Sequence, residues 1–387
     1  MYHCHNSMYE YFRGNRMACV AIKRHYRHKA VVRDWFGNGI KPPLKGRLVF
    51  LQETQYDMTH TKISLHGMQG IANKYHVHMI PVRSQLEFPC TGDAVGGHFN
   101  PWKYEFTAKS PKPSKGTPDQ YEVGDLSGKY GVLRDMEDMR GVYNDTNLPL
   151  YGPNSIVGRS IVVHKKEKGA RWACASIGWG FSPSEAKEVR AVASFHHPNG
   201  YAWGYIKFRQ VIYYDGSKSD TSIEVRLKYP GKTNTKRTRN HDWSIYVSPV
   251  GHDASVEFLN ARCSAAGYRW NPTHIHLANP NDMGFYGDEC GKDLPLRCMV
   301  GDLSGKLGRI DVGGKAYVSN DVNLPLDPGD GNWFNTAIGK SIVIHGPDGS
   351  PERMACANIE VDKVYKHLDN CIRNMHYNLL LPAFDFN

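Results

Sequence analysis

Lys74-Tyr75-His76-Val77-His78-Met79-Ile80-Pro81 places two imidazoles two residues apart. In a β-strand those positions share a face while Tyr75 and Val77 point the other way, so one face is free to hold a metal as the other fills a core. Nineteen histidines among 387 residues give about one His-x-His pair by chance. The chain has three, at His3/His5, His76/His78 and His274/His276, so spacing alone does not single out the middle one. What does so lies further along the chain.

A single hydrophobic core stops growing well short of 387 residues, so two or three domains are expected. The 38 glycines, 22 prolines and 22 tyrosines, with few long apolar runs of helical period, favour strands and turns. No apolar run approaches a membrane span, and no membrane partner is expected. The net charge of +10 is scattered, and its densest run, Lys232 to Arg239, follows Pro230-Gly231 in a turn-rich segment without zinc-finger or RNA-binding signatures. A nucleic-acid partner is therefore not expected, whereas small anions are attracted to a basic surface. Nine cysteines without a Cys-x-x-Cys argue against a zinc ribbon or a thioredoxin-type site and for structural disulfides. One sequon, Asn144-Asp145-Thr146, is compatible with secretion. No signal peptide is visible after Met1.

Internal repetition changes the reading. Val123-Gly-Asp-Leu-Ser-Gly-Lys129 recurs as Val300-Gly-Asp-Leu-Ser-Gly-Lys306, and Asn144-Asp-Thr-Asn-Leu-Pro-Leu150 as Asn320-Asp-Val-Asn-Leu-Pro-Leu326. Gly158-Arg-Ser-Ile-Val-Val-His164 returns as Gly339-Lys-Ser-Ile-Val-Ile-His345, and Arg171-Trp-Ala-Cys-Ala-Ser-Ile177 as Arg353-Met-Ala-Cys-Ala-Asn-Ile359. These pairs predict two copies of one domain, at 44–180 and 201–360, followed by a tail at 361–387. Arg16-Met-Ala-Cys-Val-Ala-Ile22 matches the closing segment of both copies, so residues 1–25 read as the remnant of a preceding repeat. The N-terminus then reads as cut into a longer tandem array, which also accounts for the missing signal peptide. Within the first copy, strands are expected at Lys45–Glu53, Thr61–His66, Tyr75–Val82, Ser160–His164 and Arg171–Gly178, with a turn at 54–57 and a loop from Pro101 to Pro118. Phe181 to Arg190 reads as a linker rich in Pro, Ser and charge. Short strands, Gly/Pro turns and no alternating helices point to an all-β antiparallel sandwich or barrel.

The copy containing His76 resembles copper/zinc superoxide dismutase along nearly its whole length. The resemblance rests on His76-Val77-His78, Cys90, Gly96-Gly97-His98-Phe99-Asn100-Pro101, Val123-Gly124-Asp125-Leu126, Gly158 to His164, and Arg171 to Cys174, in family order. It implies tandem Greek-key β-barrel or sandwich domains, copper held by His76, His78, His98 and His164, superoxide as substrate, Arg171 holding the anion, and a Cys90/Cys174 disulfide. Imidazoles do suit Cu(II) in a tetragonal field with a position left for substrate. The family's zinc site needs further histidines before the Val-Gly-Asp motif, yet none occurs from Phe99 to Gly124. Glu122 stands where the last zinc histidine would be and, with Asp125, cannot rebuild a nitrogen-rich zinc site, so zinc is expected to be absent. Glu122 becomes the candidate acceptor for the second N–H of His98, with Asp125 supporting nearby. Six residues separate His164 from Arg171, too few for the family's loop over the copper channel, so the site is expected to be open. Both departures resemble the family's copper-only branch, and tandem copies resemble copper-only superoxide dismutase repeat proteins.

In the second copy, alignment on Pro81 and Pro249 puts Ser244 and Tyr246 at the positions of His76 and His78, Arg269 at His98 and Met299 at Glu122. Only His345 remains, and a guanidinium repels a cation, so this copy is expected to keep the fold without the metal. His274 and His276 lack a third ligand and read as solvent-exposed. By the same resemblance Cys263 and Cys356 pair, Cys290 and Cys298 are close enough for a local bridge, and Cys4, Cys19 and Cys371 are left over. The expectation is an extracellular copper-only superoxide dismutase with one active copy. The rival reading is a structural or copper-binding matrix protein that uses the fold as a repeat module.

Overall fold

The computed structural model describes residues 27–362 except 109, 197–200, 232, 259, 276–282 and 328–332. The remnant expected at 1–25 with Cys4 and Cys19, the tail beyond Asp362 with Cys371, and His276 lie outside the described residues. The N-terminal half contains β1 (His28–Val32), β2 (Phe36–Gly37), β3 (Lys45–Gln52), β4 (Thr59–His66), β5 (Ala72–His78), β6 (Met139–Asp145), β7 (Ser160–Lys165), β8 (Arg171–Ser176) and β9 (Gly178–Trp179). The C-terminal half contains β10 (Ala186–Phe195), β11 (Trp203–Tyr213), β12 (Thr221–Lys228), β13 (Thr238–His241), β14 (Trp243–Tyr246), β15 (Ile310–Val312), β16 (Tyr317–Asp321), β17 (Ser341–His345) and β18 (Arg353–Val361). Helices are short: α1 (Gly92–Val95), α2 (Leu126–Tyr130), α3 (Met283–Glu289) and α4 (Leu303–Leu307). No helix among the described residues is long and apolar enough to cross a membrane.

The protein is mostly β, in antiparallel sheets. In the N-terminal half one sheet has the order β6-β4-β3-β1-β9 and the other β2-β8-β7-β5. Alternation along β3 and β4 turns Leu48, Phe50, Ile63 and Leu65 inward. They meet Tyr75 and Val77 of β5 in one core, which leaves the other face of β5 to His76 and His78. The C-terminal half gathers β14-β17-β18-β10-β11-β12-β16 into one sheet, because β18 runs unbroken where β8 and β9 are separate.

The repeated Asp-Leu-Ser-Gly-Lys motif ties a helix to the His-bearing strand. Asp125 caps α2 by accepting the Gly128 N–H at 2.7 Å, and Ser127 Oγ accepts the Tyr75 N–H at 2.6 Å. Lys129 is fully buried, 3.0 Å from Asp145 and donating to the Val123 and Asn147 carbonyls. Asp302, Ser304 and Lys306 make the matching contacts with Gly305, Trp243 and Asp321. Gly124 has to be glycine: a Cβ there would lie 2.7 Å from the Val77 carbonyl and 2.9 Å from that of Phe99. Its close approach lets the strand of His76 and His78 and the segment of His98 share one backbone partner, through Val77 N–H to Gly124 O and Gly124 N–H to Phe99 O.

Three elements differ from the sequence reading. The expected linker ends early, because Ala186–Phe195 is a ten-residue strand paired with both β11 and β18. Its Lys187, Glu188 and Arg190 look like linker charges, yet Ala191, Ala193 and Phe195 are buried at every second position as a half-buried strand requires. Likewise β1, upstream of residue 44, joins the first sheet through β3 and β9. The strand expected to reach Val82 stops at His78, where Met79 and Ile80 bond to Gly97 and Val95 instead of continuing the β7 ladder.

The two halves meet through the 152–159 segment. Gly152 N–H donates to Asp220 at 2.7 Å, Asn320 Nδ2 to the Val157 carbonyl at 3.0 Å, and Arg159 Nη2 to the Val318 carbonyl at 3.1 Å. Arg159 also donates to the Met79 carbonyl and stacks 3.7 Å above the Phe99 ring. At Gly158, with φ of 84°, a Cβ would sit 2.3 Å from Ser222 Oγ.

Candidate metal centre

Four histidines converge where β5 and β7 run side by side. His76 pairs with Val162 and His78 with Ser160, while a separate bridge links His78 to His98 and the β7–β8 register sets His164 against Arg171. One nitrogen from each of His76, His78, His98 and His164 falls within 4.8 Å of the others. Among the described residues these four form the one such cluster of potential metal ligands.

Their other nitrogens are occupied. His78 Nδ1 lies 3.0 Å from the Gly96 carbonyl, His164 Nδ1 2.8 Å from that of Gly169, and His98 Nδ1 3.0 Å from Glu122 Oε2. Each Nδ1–H donates outward, which leaves the three Nε2 lone pairs facing inward. His76 is reversed: its Nε2 stands 3.4 Å from Asp125 Oδ1, and its buried Nδ1 has no hydrogen-bond partner. A buried nitrogen without a partner costs free energy unless something fills its lone pair, and four neutral imidazoles match the donor set that Cu(II) prefers.

Burial keeps His76, His78 and His164 neutral. It pushes His76 well below the ordinary histidine range, aided by His98, His164 and His78, and brings His78 down to about 3 against the opposing pull of the Gly96 carbonyl. His164 is lowered by burial too. Asp125 moves up, again by burial.

The mouth is a pocket of about 270 Å³ lined by Asn73, Lys74, His76, His98, His164 and Lys165. The β7–β8 turn closes tightly, through Lys165 N–H to Ala170 O and Ala170 N–H to Glu167 O, and lines the pocket with Lys165 and Gly169. A larger groove of about 710 Å³, between 33–46 and 84–89, contains neither histidine nor cysteine.

The sequence profile of the copper/zinc superoxide dismutase family matches residues 44–177. A superoxide dismutase (Cu-Zn) of Yarrowia lipolytica is 31% identical over 126 residues, 32% of this chain and 72% of the relative. The chain belongs to the copper/zinc superoxide dismutase family. Cell surface superoxide dismutase 4 (Cu-Zn) of Candida albicans is 39% identical over 105 residues, 27% of this chain. The cell surface Cu-only superoxide dismutase 5 of the same organism is 37% identical over 105 residues, again 27% of this chain. The chain spans only 40% of the length of each of those two cell surface proteins.

Within the dismutase-matched segment, Glu122 approaches His98 as a single oxygen, and Asn100 Nδ2 holds its other oxygen at 3.3 Å. Asp125 lies against His76 rather than His98. Arg171 donates to the Cys90 carbonyl at 3.4 Å, and its charge reaches both His78 and His164. Disulfides join Cys90 to Cys174, Cys263 to Cys356 and Cys290 to Cys298. Sequence reasoning missed Asn100, Lys74, Lys165 and the anchoring carbonyls of Gly96 and Gly169. Lys74 and Asn100 stood inside the quoted motifs, whereas a backbone carbonyl leaves no signal in residue type.

The corresponding place in the C-terminal half is filled by protein. Ser244 faces Val343 and Tyr246 faces Ser341, the registers of His76 and His78, and a bridge joins Tyr246 to Arg269. Tyr246 OH lies 2.9 Å from His345 Nε2. Arg269 lies 3.2 Å from Asp302, which also accepts from Tyr286 OH at 2.7 Å. Arg353 donates both guanidinium ends to the Cys263 and Gly267 carbonyls. His274 is exposed.

Proposed function

We propose that the chain carries two copies of one Greek-key superoxide dismutase-like domain, at 44–180 and 201–360 with strands β1 and β10 added upstream, and that only the first is an enzyme. It dismutes superoxide to hydrogen peroxide and dioxygen at an open, zinc-free copper site held by His76, His78, His98 and His164. The observation that carries this reading is the set of four imidazoles whose inward nitrogens are all lone pairs, the unpartnered His76 Nδ1 included. What copper supplies there when bound is a one-electron cycle, oxidising one superoxide and reducing the next.

The protein's own residues do the rest. Glu122 holds the Nδ1 proton of His98 and fixes that ring's orientation, and Asp125 does the same for His76 Nε2. Lys74, Lys165 and Arg171 give the mouth a positive field that draws the anion in. The surface relatives and the three disulfides support a secreted protein. Residues 1–25 and 361–387 are taken as the end of a preceding repeat and a tail.

The second copy keeps the fold without a ligand set: three of four imidazoles are replaced, and Tyr246 takes the lone pair of the fourth. That observation also favours a second reading, a matrix protein in which repeats serve as modules and copper is held without useful turnover. Metal analysis of the whole chain, with its rate of superoxide consumption, separates the two. About one copper per chain, no stoichiometric zinc and fast consumption are expected, because one copy has four imidazoles and the other has one. Two coppers or a tightly held zinc overturn the site assignment, and one copper without turnover favours the matrix reading.

A further inference from the structure

The outer faces of β6 and β16 invite the same question and give opposite answers. In the C-terminal half that face is where the N-terminal half docks: Val318 is 5% exposed, Asn320 0% and Ser222 7%. In the N-terminal half β6 is a sheet edge, Val142 is 71% exposed, and Asn144 and Thr146 are exposed beside it. The ladders set Asn144 in register with His60 as they set Asn320 with Ser222, so the positions correspond one to one.

The N-terminal face does not repeat the docking surface. His60 stands where Ser222 receives the close approach of Gly158, Met58 replaces the Asp220 that accepts the Gly152 N–H, and Tyr143 replaces Ser319. Asn144 begins Asn-Asp-Thr, whereas Asn320 begins Asn-Asp-Val, with Val322 in place of Thr146. His60 Nδ1 lies 2.7 Å from Oδ1 of the exposed Asn144, a contact that does not use the amide nitrogen.

We propose that Asn144 is an N-glycosylation site and that its glycan shields the free β6 edge, taking the place that a neighbouring half occupies on β16. The amide nitrogen attacks the anomeric carbon of a polyprenyl-diphosphate-linked oligosaccharide. A C–N bond forms as the C–O bond to diphosphate breaks, one amide proton is lost, and the lipid diphosphate leaves with the electron pair. Oδ1 remains an acceptor for His60 in the product. The glycan then covers Val142, on an open strand edge of the kind that pairs with other chains, and the exposed Met58 that precedes β4.

The full chain secreted from a eukaryotic host behind an added leader provides the test, since Asn144 lies in its one sequon. A glycopeptide spanning Asn144 is expected, converted to aspartate there by peptide N-glycosidase and absent from Thr146→Val, which copies Val322. The glycosylated chain is expected to stay monomeric in light scattering as concentration rises, while Thr146→Val self-associates. An unmodified Asn144 peptide in material whose Cys263–Cys356 bridge has formed overturns the site. Equal self-association of both forms overturns the shielding.

Discussion

His78 and Tyr246 occupy the same register, opposite Ser160 and Ser341, and end in opposite chemistry. One turns a lone pair toward three other imidazoles; the other closes a hydrogen bond to the one imidazole left. Around them the two halves agree: the capped turn, the serine on the strand backbone, the buried lysine–aspartate pair and the disulfide recur. Of these shared contacts only the capped turn touches the metal site, because Asp125 Oδ1 both accepts the Gly128 N–H and faces His76 Nε2. The serine, the lysine–aspartate pair and the disulfide hold the framework apart from it. Where imidazoles are lost, Tyr246 bonds the remaining His345 and Arg269 and Tyr286 both meet Asp302, while Ser244 Oγ, in the register of His76, stays buried without a partner.

The largest effect should come from treating the two remaining β7 and β17 histidines alike. His164→Ala is expected to lose copper and reduce superoxide consumption to background, beyond the ~10- to 100-fold typical of changes outside the ligand set. His345→Ala should leave both unchanged, and loss of copper in that variant would break the contrast between the halves.

Lys129→Met and Lys306→Met probe what the halves share. Each leaves an aspartate buried without its cation, a change that costs about 3–5 kcal/mol. Denaturant unfolding is expected to show comparable destabilisation from either. A cost confined to Lys129 would mean that the framework depends on the metal half after all.

Glu122→Gln sharpens the contrast at the position where the C-terminal half has Met299. Fold and most copper binding should survive, while affinity or rate falls about 10- to 100-fold. A variant equal to the parent in rate, affinity and copper spectrum would reduce Glu122 to a loop residue.

Acid should separate the halves in metal-free protein. His76, His78 and His164 have folded-state values depressed by burial, so between the ordinary 6.5 and about 3 for His78 the unfolded chain binds more protons than the folded one. Stability conferred by these neutral histidines is complete above that window and declines as pH falls through it. In the C-terminal site only His345 is lowered, so thermal scans of the apo chain should show the N-terminal half weakening first. The smallest effect is expected from Arg171→Ala. Copper should stay, capture should slow a few-fold, and stopped-flow rates should depend less on ionic strength.

Much of this was legible because the chain states it twice. The recurring Val-Gly-Asp-Leu-Ser-Gly-Lys fixes both capped turns, and the period-2 pattern of β3 and β4 sets the core. The histidines were readable only as a set ordered by surrounding motifs, since single pairs arise by chance. β10 was hidden because Lys187, Glu188 and Arg190 fall on a strand whose apolar positions are mostly small. The Asp125–His76 contact was hidden because which carboxylate meets which ring depends on how two loops fold over one strand.

Arg159 joins ends that look unrelated. Met79, whose carbonyl it binds, follows His78, and Phe99, whose ring it covers, follows His98, while its other end rests on Val318 of β16. One guanidinium thus touches the backs of two ligand segments and the opposite half at once. Whatever docking of the halves contributes to copper affinity, copper must return to docking by the same factor, because the two equilibria share one thermodynamic cycle. Tension that pulls the halves apart is then also tension on the cage, and the half that keeps one imidazole of four can still set how firmly its neighbour holds a metal.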